Sequence, residues 1–293
     1  MSQQKISIRF YNDREVRAIW DDENAKWYFP VVDIVGVLNE QDYNKSRNYW
    51  KWLKRKLTLE ESELVSATNQ LKIQAADGKK YNTDTLDSEG IIELAKNFPN
   101  AKATKFLDWF LYSDNSIDGQ SKKKAYALFE SNLIADEDVG KIESLKQIHA
   151  YIFGGLYDFA GKIRKKNISK GGFQFAMSQY LDNTLQDISN MPDSNFDEII
   201  DKYVEMNVAH PFMEGNGRST RIWLDMLLKA RLGLCIDWSK VDKKTYLDAM
   251  VKSPVDSSPI KSLLHSALTD EVHSREIFMK GIDYSYYYEE EEI

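Results

Sequence analysis

From about Lys122 onward, apolar side chains recur three and four positions apart, a pattern that helices packed face to face bury efficiently. It predicts helices at about 122–134, 141–159, 173–188, 195–208, 217–231, 243–251, 258–268 and from 274 onward, and so an α bundle. The preceding part has a different texture. In "ISIRFYNDREVRAIWDDENAKWYF", short β-favouring runs alternate with the turn-like "YNDRE" and "WDDENAK", which reads as a hairpin or small sheet. A second extended pair is expected around Asp77-Gly78, and two helices in "DSEGIIELAKNF" and "AKATKFLDWFLY". The expected fold is mainly α: residues 1–113 form a small α+β domain, and 114–293 a helical domain.

A chain of 293 residues has room for two domains, each with its own core. No stretch approaches the roughly 20 apolar residues of a membrane span, and "MSQQKISIRF" lacks the apolar centre of a signal peptide, so a cytoplasmic location without membrane contact is expected. The single Cys235 lies in the apolar run "RLGLCIDW" and reads as a packing residue. With one cysteine and four scattered histidines, a Cys/His zinc framework is excluded. A net charge of −7 argues against a wholly basic nucleic-acid binder and leaves room for a local basic patch.

The densest chemistry lies in "HPFMEGNGRSTR", between two helical runs. Gly215 and Gly217 are expected to take positive φ and let the backbone approach a ligand, while the next helix begins with unpaired N–H groups. Such a terminus attracts anions, and Arg218 and Arg221, a helical turn apart, add two cations that suit a polyphosphate. An acid in that place, Glu214, makes sense as a ligand of Mg²⁺ bridging phosphate oxygens. Asn216 is expected to bond phosphate or metal-bound water. His210 has the pKa range needed to take a proton from a hydroxyl at neutral pH. Base, metal ligand and phosphate cradle together point to phosphoryl or nucleotidyl transfer.

The stretch resembles the Fic-family motif HPFx(D/E)GNGRxxR at every specified position, and "SLKQIHAYIFGGLYDFAGKIRKKNISKGG" is similar to the first core helix and β-flap of that family. The resemblance implies transfer of AMP from Mg·ATP to a Tyr, Ser or Thr hydroxyl of a protein target. It makes His210 the base, Glu214 the Mg²⁺ ligand, and Gly215, Asn216 and Gly217 the phosphate cradle. Arg218 and Arg221 then hold the β- and γ-phosphates, and Phe212 anchors the loop. A flap around 165–172, with Lys165, Ile168 and Gly171, would dock an extended target segment by main-chain pairing. Doc-type relatives, which transfer phosphate, carry Lys where this chain has Gly217, so the glycine favours adenylylation.

The tail "SYYYEE" resembles the family's inhibitory (S/T)xxxE(G/N) helix, placing Ser285 and Glu289 in the pattern, with Glu290 where Gly or Asn is usual. A second match, "TLDSEG" from Thr85 to Gly90, lies in the first domain, and the C-terminal one is preferred. The helix, at about 274–290, would block the γ-phosphate site through a Glu289–Arg221 pair, and Tyr286, then Tyr287, are candidates for self-modification. Members of this type suggest as targets the ATPase subunits of DNA gyrase or topoisomerase IV, and related short proteins self-associate, so a homo-oligomer is considered.

In the first domain, "DYNKSRNYWKWLKRKL" interleaves Lys45, Arg47, Lys51, Lys54, Arg55 and Lys56 with Trp50 and Trp52, a nucleic-acid signal that a solvated amphipathic face also produces. The domain resembles the Bro-N type found in DNA-associated proteins, which implies DNA binding, with recruitment of a protein target as the rival role. Two alternative functions stand beside adenylyl transfer. One is a DNA-binding regulator with a non-catalytic Fic core; the other is a Fic transferase using another donor, delivering UMP, phosphocholine or phosphate.

Overall fold

The computed structural model describes residues 6–21, 24, 26–74, 79–112, 116–131 and 138–289. These fall into two compact units that divide between Ser116 and Ile117. The expected boundary at 113/114 and the expected Asp77-Gly78 turn lie outside the described residues.

The first unit is built on a five-stranded sheet in the order β1-β2-β3-β5-β4, antiparallel throughout. β1 (Ile6–Tyr11) and β2 (Arg14–Asp21) are joined by Asn12 and Asp13, both at positive φ, the backbone that a tight two-residue hairpin demands. β3 (Lys26–Pro30) leads directly into α1 (Val31–Asn39), whose apolar residues are buried nearly all round the helix. Arg17 grips Asp33 of that helix through Nε and Nη2, at 2.8 and 2.7 Å.

α2 (Tyr43–Leu59) starts on an Asp42 cap that accepts the Lys45 N–H, and α3 (Glu63–Ser66) follows. The pair β4 (Asn69–Gln74) and β5 (Lys80–Leu86) then completes the sheet, before α4 (Ser88–Ala95) and α5 (Asn100–Tyr112). Val16, Phe29, Ile34, Leu53 and Phe106 form the core.

The second unit is helical: α6 (Ile117–Ala127), α7 (Ile142–Phe153), α8 (Leu181–Ser189), α9 (Phe196–Ala209), α10 (Asn216–Leu232), α11 (Lys243–Lys252), α12 (Ser258–Ser266) and α13 (Arg275–Tyr287). Its core gathers Phe153, Tyr203, Trp223 and Leu227, with α10 packed on α7 and α9. The short strands β8 (Cys235–Ile236) and β9 (Leu268–Thr269) pair antiparallel. α9 begins on Asn195, which accepts the Glu198 N–H, while Glu198 reaches back to the Ser194 N–H. α10 ends at Gly233 in the left-handed conformation.

Three boundaries differ from expectation. The helix expected at 141–159 stops at Phe153, because Gly154 leaves helical geometry and Gly155 takes positive φ. The helix expected at 173–188 is absent at its start. Phe173–Gln174 forms β7, paired with β6 (Ser169–Lys170) across a turn of Gly171 and Gly172, both at positive φ. The flap therefore extends to Gln174, beyond the expected 165–172. The helix expected at 122–134 runs from Ile117 to Ala127, followed by a 3₁₀ turn.

Candidate active site

The turn between α9 and α10 is held from three directions. His210 caps α9 in the left-handed region, at φ 49°, an unusual conformation for a non-glycine residue. Asn216 folds its side chain back on the loop: Oδ1 accepts the Phe212 N–H and Nδ2 donates to the Phe212 carbonyl, both at 2.8 Å. Both ends of its amide are thus engaged by the loop, and its main-chain N–H lies at the start of α10.

Gly215 has the expected positive φ of 79°, and a Cβ there would run into the Phe153 ring. Gly217 does not. It lies inside α10 with helical backbone, and a Cβ there would meet the Glu289 carboxylate, the end of a side chain that would have to shift.

Two residues that carry no motif signature lock the loop. His149 of α7 is fully buried and stacks on Phe212 at 3.8 Å between ring centroids. The Gly161 N–H donates to its Nδ1 at 2.9 Å, which fixes the proton on Nε2 for donation to the Glu214 carbonyl at 2.9 Å. Burial pushes its pKa down to about 4, so it is a neutral structural histidine. Phe212 is fully buried against it, in the anchoring place expected of it.

Arg164 is the second lock. Its guanidinium donates to the carbonyls of His210 (2.7 Å), Ala209 (3.1 Å), Lys166 (2.7 Å) and Ala176, and its N–H to the Pro211 carbonyl at 2.9 Å. It ties the base of the flap to the loop. In "GKIRKKN" nothing distinguishes this arginine from its basic neighbours, which is why the sequence does not single it out.

The His210 ring lies under the Phe175 ring at 3.7 Å. Burial lowers its pKa to about 4, leaving a neutral imidazole at physiological pH. Nδ1 stands 3.3 Å from the Asn207 carbonyl, toward which only a protonated nitrogen is attracted, so Nε2 is the free basic position. Lys165 is exposed, Ile168 is half-buried with its carbonyl accepting the Phe175 N–H at 3.3 Å, and Gly171 forms the exposed tip of the flap.

Both motif arginines are buried and already paired. Arg218 donates through Nη2 to Glu214 Oε1 at 2.9 Å and through Nη1 to Asp118 of α6, while its guanidinium sits over the Phe153 and Tyr286 rings. Arg221 donates from Nε to Ser285 Oγ at 2.9 Å, and from Nη2 to the Ser285 carbonyl at 2.6 Å and to Glu289 Oε1 at 2.5 Å. Burial works against the charge on Arg221, but the Glu289 carboxylate outweighs it and raises the pKa.

α13 is thereby seated on the motif, and it is anchored elsewhere too. Fully buried Asp283 takes Lys122 Nζ at 2.8 Å and the Tyr126 hydroxyl. The Tyr288 hydroxyl donates to the Val241 carbonyl at 2.7 Å. The Tyr286 hydroxyl donates to Ser121 Oγ at 2.9 Å, with its pKa pushed up to about 12 by burial. Tyr287 is half-buried beside Lys243 Nζ. The Tyr286 hydroxyl is therefore committed to Ser121 in this arrangement. Glu290 lies outside the described residues. The rival match from Thr85 to Gly90 runs from the end of β5 through the Asp87 cap into α4, with Thr85 Oγ1 bonded to the Asn69 carbonyl.

The residues fit a Mg²⁺·nucleotide. Among the described residues no three acids or histidines converge as an all-protein metal site. Mg²⁺ needs none, because it characteristically takes one or two carboxylates plus substrate phosphates. Glu214, with a side chain 57% exposed beside the α10 terminus, provides such a carboxylate.

One loop thus brings together a neutral histidine, a helix N-terminus and two buried arginines. Residues 140–228 match the Fic/DOC family. Over 148 residues the chain is 29% identical to the protein adenylyltransferase VbhT of Bartonella schoenbuchensis, covering 46% of this chain and 31% of that protein. It is 29% identical over 120 residues to the probable protein adenylyltransferase y4lH of Sinorhizobium fredii, covering 37% and 62%, and 24% identical over 143 residues to the probable protein adenylyltransferase Fic of Escherichia coli, covering 45% and 71%. The chain thus spans less than two thirds of the first two relatives. A solved structure of the BepC protein from Bartonella tribocorum with bound AMPPNP aligns with a TM-score of 0.46 at 19% identity, covering 52% of this chain and 84% of that one. No helix among the described residues is long and apolar enough to cross a membrane.

Proposed function

We propose that the chain is a protein adenylyltransferase that moves AMP from Mg·ATP to a protein hydroxyl and is held inactive by α13. The observation that carries the reading is the joining of neutral His210 to the α10 terminus and its two buried arginines by one rigid loop. In the reaction, the target's hydroxyl oxygen attacks the α-phosphorus and its proton passes to His210 Nε2. The bond from the α-phosphorus to the bridging oxygen breaks, and pyrophosphate leaves. Arg218 and Arg221 offset the charge on the β- and γ-phosphates, aided by the N–H groups of Asn216 and Gly217. Mg²⁺, held by Glu214, would neutralise phosphate charge. The flap, with its exposed strand β6, would align a target segment by main-chain pairing.

Inhibition follows from the same contacts. Glu289 occupies the surface over Gly217 and takes Arg221, so it meets a γ-phosphate with like charge and withholds its partner. Tyr286, and then Tyr287, become acceptors only after α13 leaves its seat. The experiment is incubation of wild type, Glu289→Gly and Glu289→Gly/His210→Ala with α-labelled ATP and Mg²⁺, alone and with bacterial lysate. Label in the first variant that disappears in the second supports the reading; no label in any of them refutes it. Parallel donors delivering UMP, phosphocholine or phosphate test the alternatives. DNA gyrase and topoisomerase IV subunits are the first purified targets to try, with sizing of the protein for self-association.

A second reading concerns the first unit. Trp50 is buried in the core and bonded to Asp84, which also takes the half-buried Lys54, so these two are tied to the sheet. Arg47, Lys51 and Arg55 instead form an exposed stripe one helical turn apart, beside Trp52 at 56% exposure. Such a stripe fits a phosphate backbone. Duplex DNA binding that weakens with salt, and weakens further on replacing the three cations with Gln, supports a DNA-binding role. Equal binding by the variant refutes it.

A further inference from the structure

The Glu289 carboxylate reports how an anion is held above the α10 terminus. It lies against Gly217, with Oε1 on Arg221 Nη2 at 2.5 Å and Oε2 3.9 Å from Lys170 Nζ. Arg221 is a motif residue. Lys170 is not; it lies on β6 of the flap, and its charge also acts on His210. Its ammonium therefore stands within reach of the place that the latch carboxylate fills.

We propose that Lys170 is a nucleotide-binding residue, whose ammonium takes the γ-phosphate of ATP when Glu289 withdraws. This rests on the reading of the site as an ATP site. A terminal phosphate brings more negative charge and more oxygens than a carboxylate, so a cation that one oxygen of Glu289 draws to 3.9 Å is drawn closer by the phosphate. The movement costs little. Lys170 is 71% exposed on a flexible stem, and a side chain added at Gly171 or Gly172 would meet no other residue, so the flap tip is open to solvent. The contact joins flap to nucleotide, so the strand that receives the target is fixed only when ATP is in place.

The test uses the full chain carrying Glu289→Gly and His210→Ala, free of the latch carboxylate and of turnover. Binding of Mg·ATP and Mg·ADP is measured by calorimetry with Lys170 intact, as Lys170→Met and as Lys170→Arg. The expected result is ATP binding weakened about 5- to 10-fold by Met and largely restored by Arg, with ADP changed less than about twofold. Equal losses for both nucleotides, or no loss for ATP, overturn the assignment of Lys170 while leaving the ATP site standing. Binding of neither nucleotide by the parent variant overturns the ATP site and Lys170 with it.

Discussion

Replacing Glu289 by Gly tests the latch most directly, because the residue lies just past the end of α13 and its loss does not break the helix. The pair it forms is unequal: the Arg221 side chain is 3% exposed and that of Glu289 24%. Opposite charges about 4 Å apart attract by about 4 kcal/mol at an effective dielectric of 20, and removing one partner of a buried pair costs about 3–5 kcal/mol. The partial exposure of Glu289 and the bonds that Ser285 retains to Arg221 reduce this to a bias of about 2–3 kcal/mol toward the closed state. Apparent affinity falls by the fraction of molecules in the competent state, so such a bias weakens wild-type ATP binding roughly 30- to 150-fold. Calorimetric titration of Mg·ATP into His210→Ala and Glu289→Gly/His210→Ala should show that ratio. The double variant without ATP should also melt earlier, with Arg221 less compensated, and gain more from Mg·ATP. A ratio below about threefold would refute the electrostatic latch.

Four further outcomes follow from the same geometry. The acid limb of kcat/KM for Glu289→Gly should fall near pH 4 rather than 6.5, because burial keeps His210 unprotonated as pH drops; a limb near 6.5 would contradict the buried neutral base. Arg164→Met strips the partners from four carbonyls of loop and flap and should lower kcat at least about tenfold, beyond the drop in melting temperature; an unchanged kcat would deny the clamp its role. Asp118→Asn frees one arm of Arg218 and should tighten binding of both ADP and ATP a few-fold in the Glu289→Gly/His210→Ala background; weaker binding would show that Asp118 positions the arginine instead. Peptide mass spectrometry of Glu289→Gly after ATP should find AMP on Tyr286 or Tyr287 only under conditions that loosen α13, and labelling with the helix seated would contradict the buried Tyr286–Ser121 bond.

The sequence alone determined the helical second unit and the hairpin start of the first, and it marked "HPFMEGNGRSTR" as the candidate site. These are local matters: the period of apolar residues selects a helix, Asn12-Asp13 accepts a tight turn, and a charge-dense loop before a helix stands out as a candidate anion site whatever surrounds it. It also named Glu289, through a short pattern that places the acid near a helix end.

Only the tertiary structure decided what each residue spends itself on. The Asn216 side chain turned to Phe212 rather than outward, Gly217 proved to serve a close approach rather than positive φ, and residues 173–174 became a strand because two glycines turned the chain back. His149, Arg164, Asp118 and Lys170 were illegible for a single reason. Each acts on a partner between 46 and 119 positions away, and no local periodicity or composition encodes which distant atom a side chain will meet.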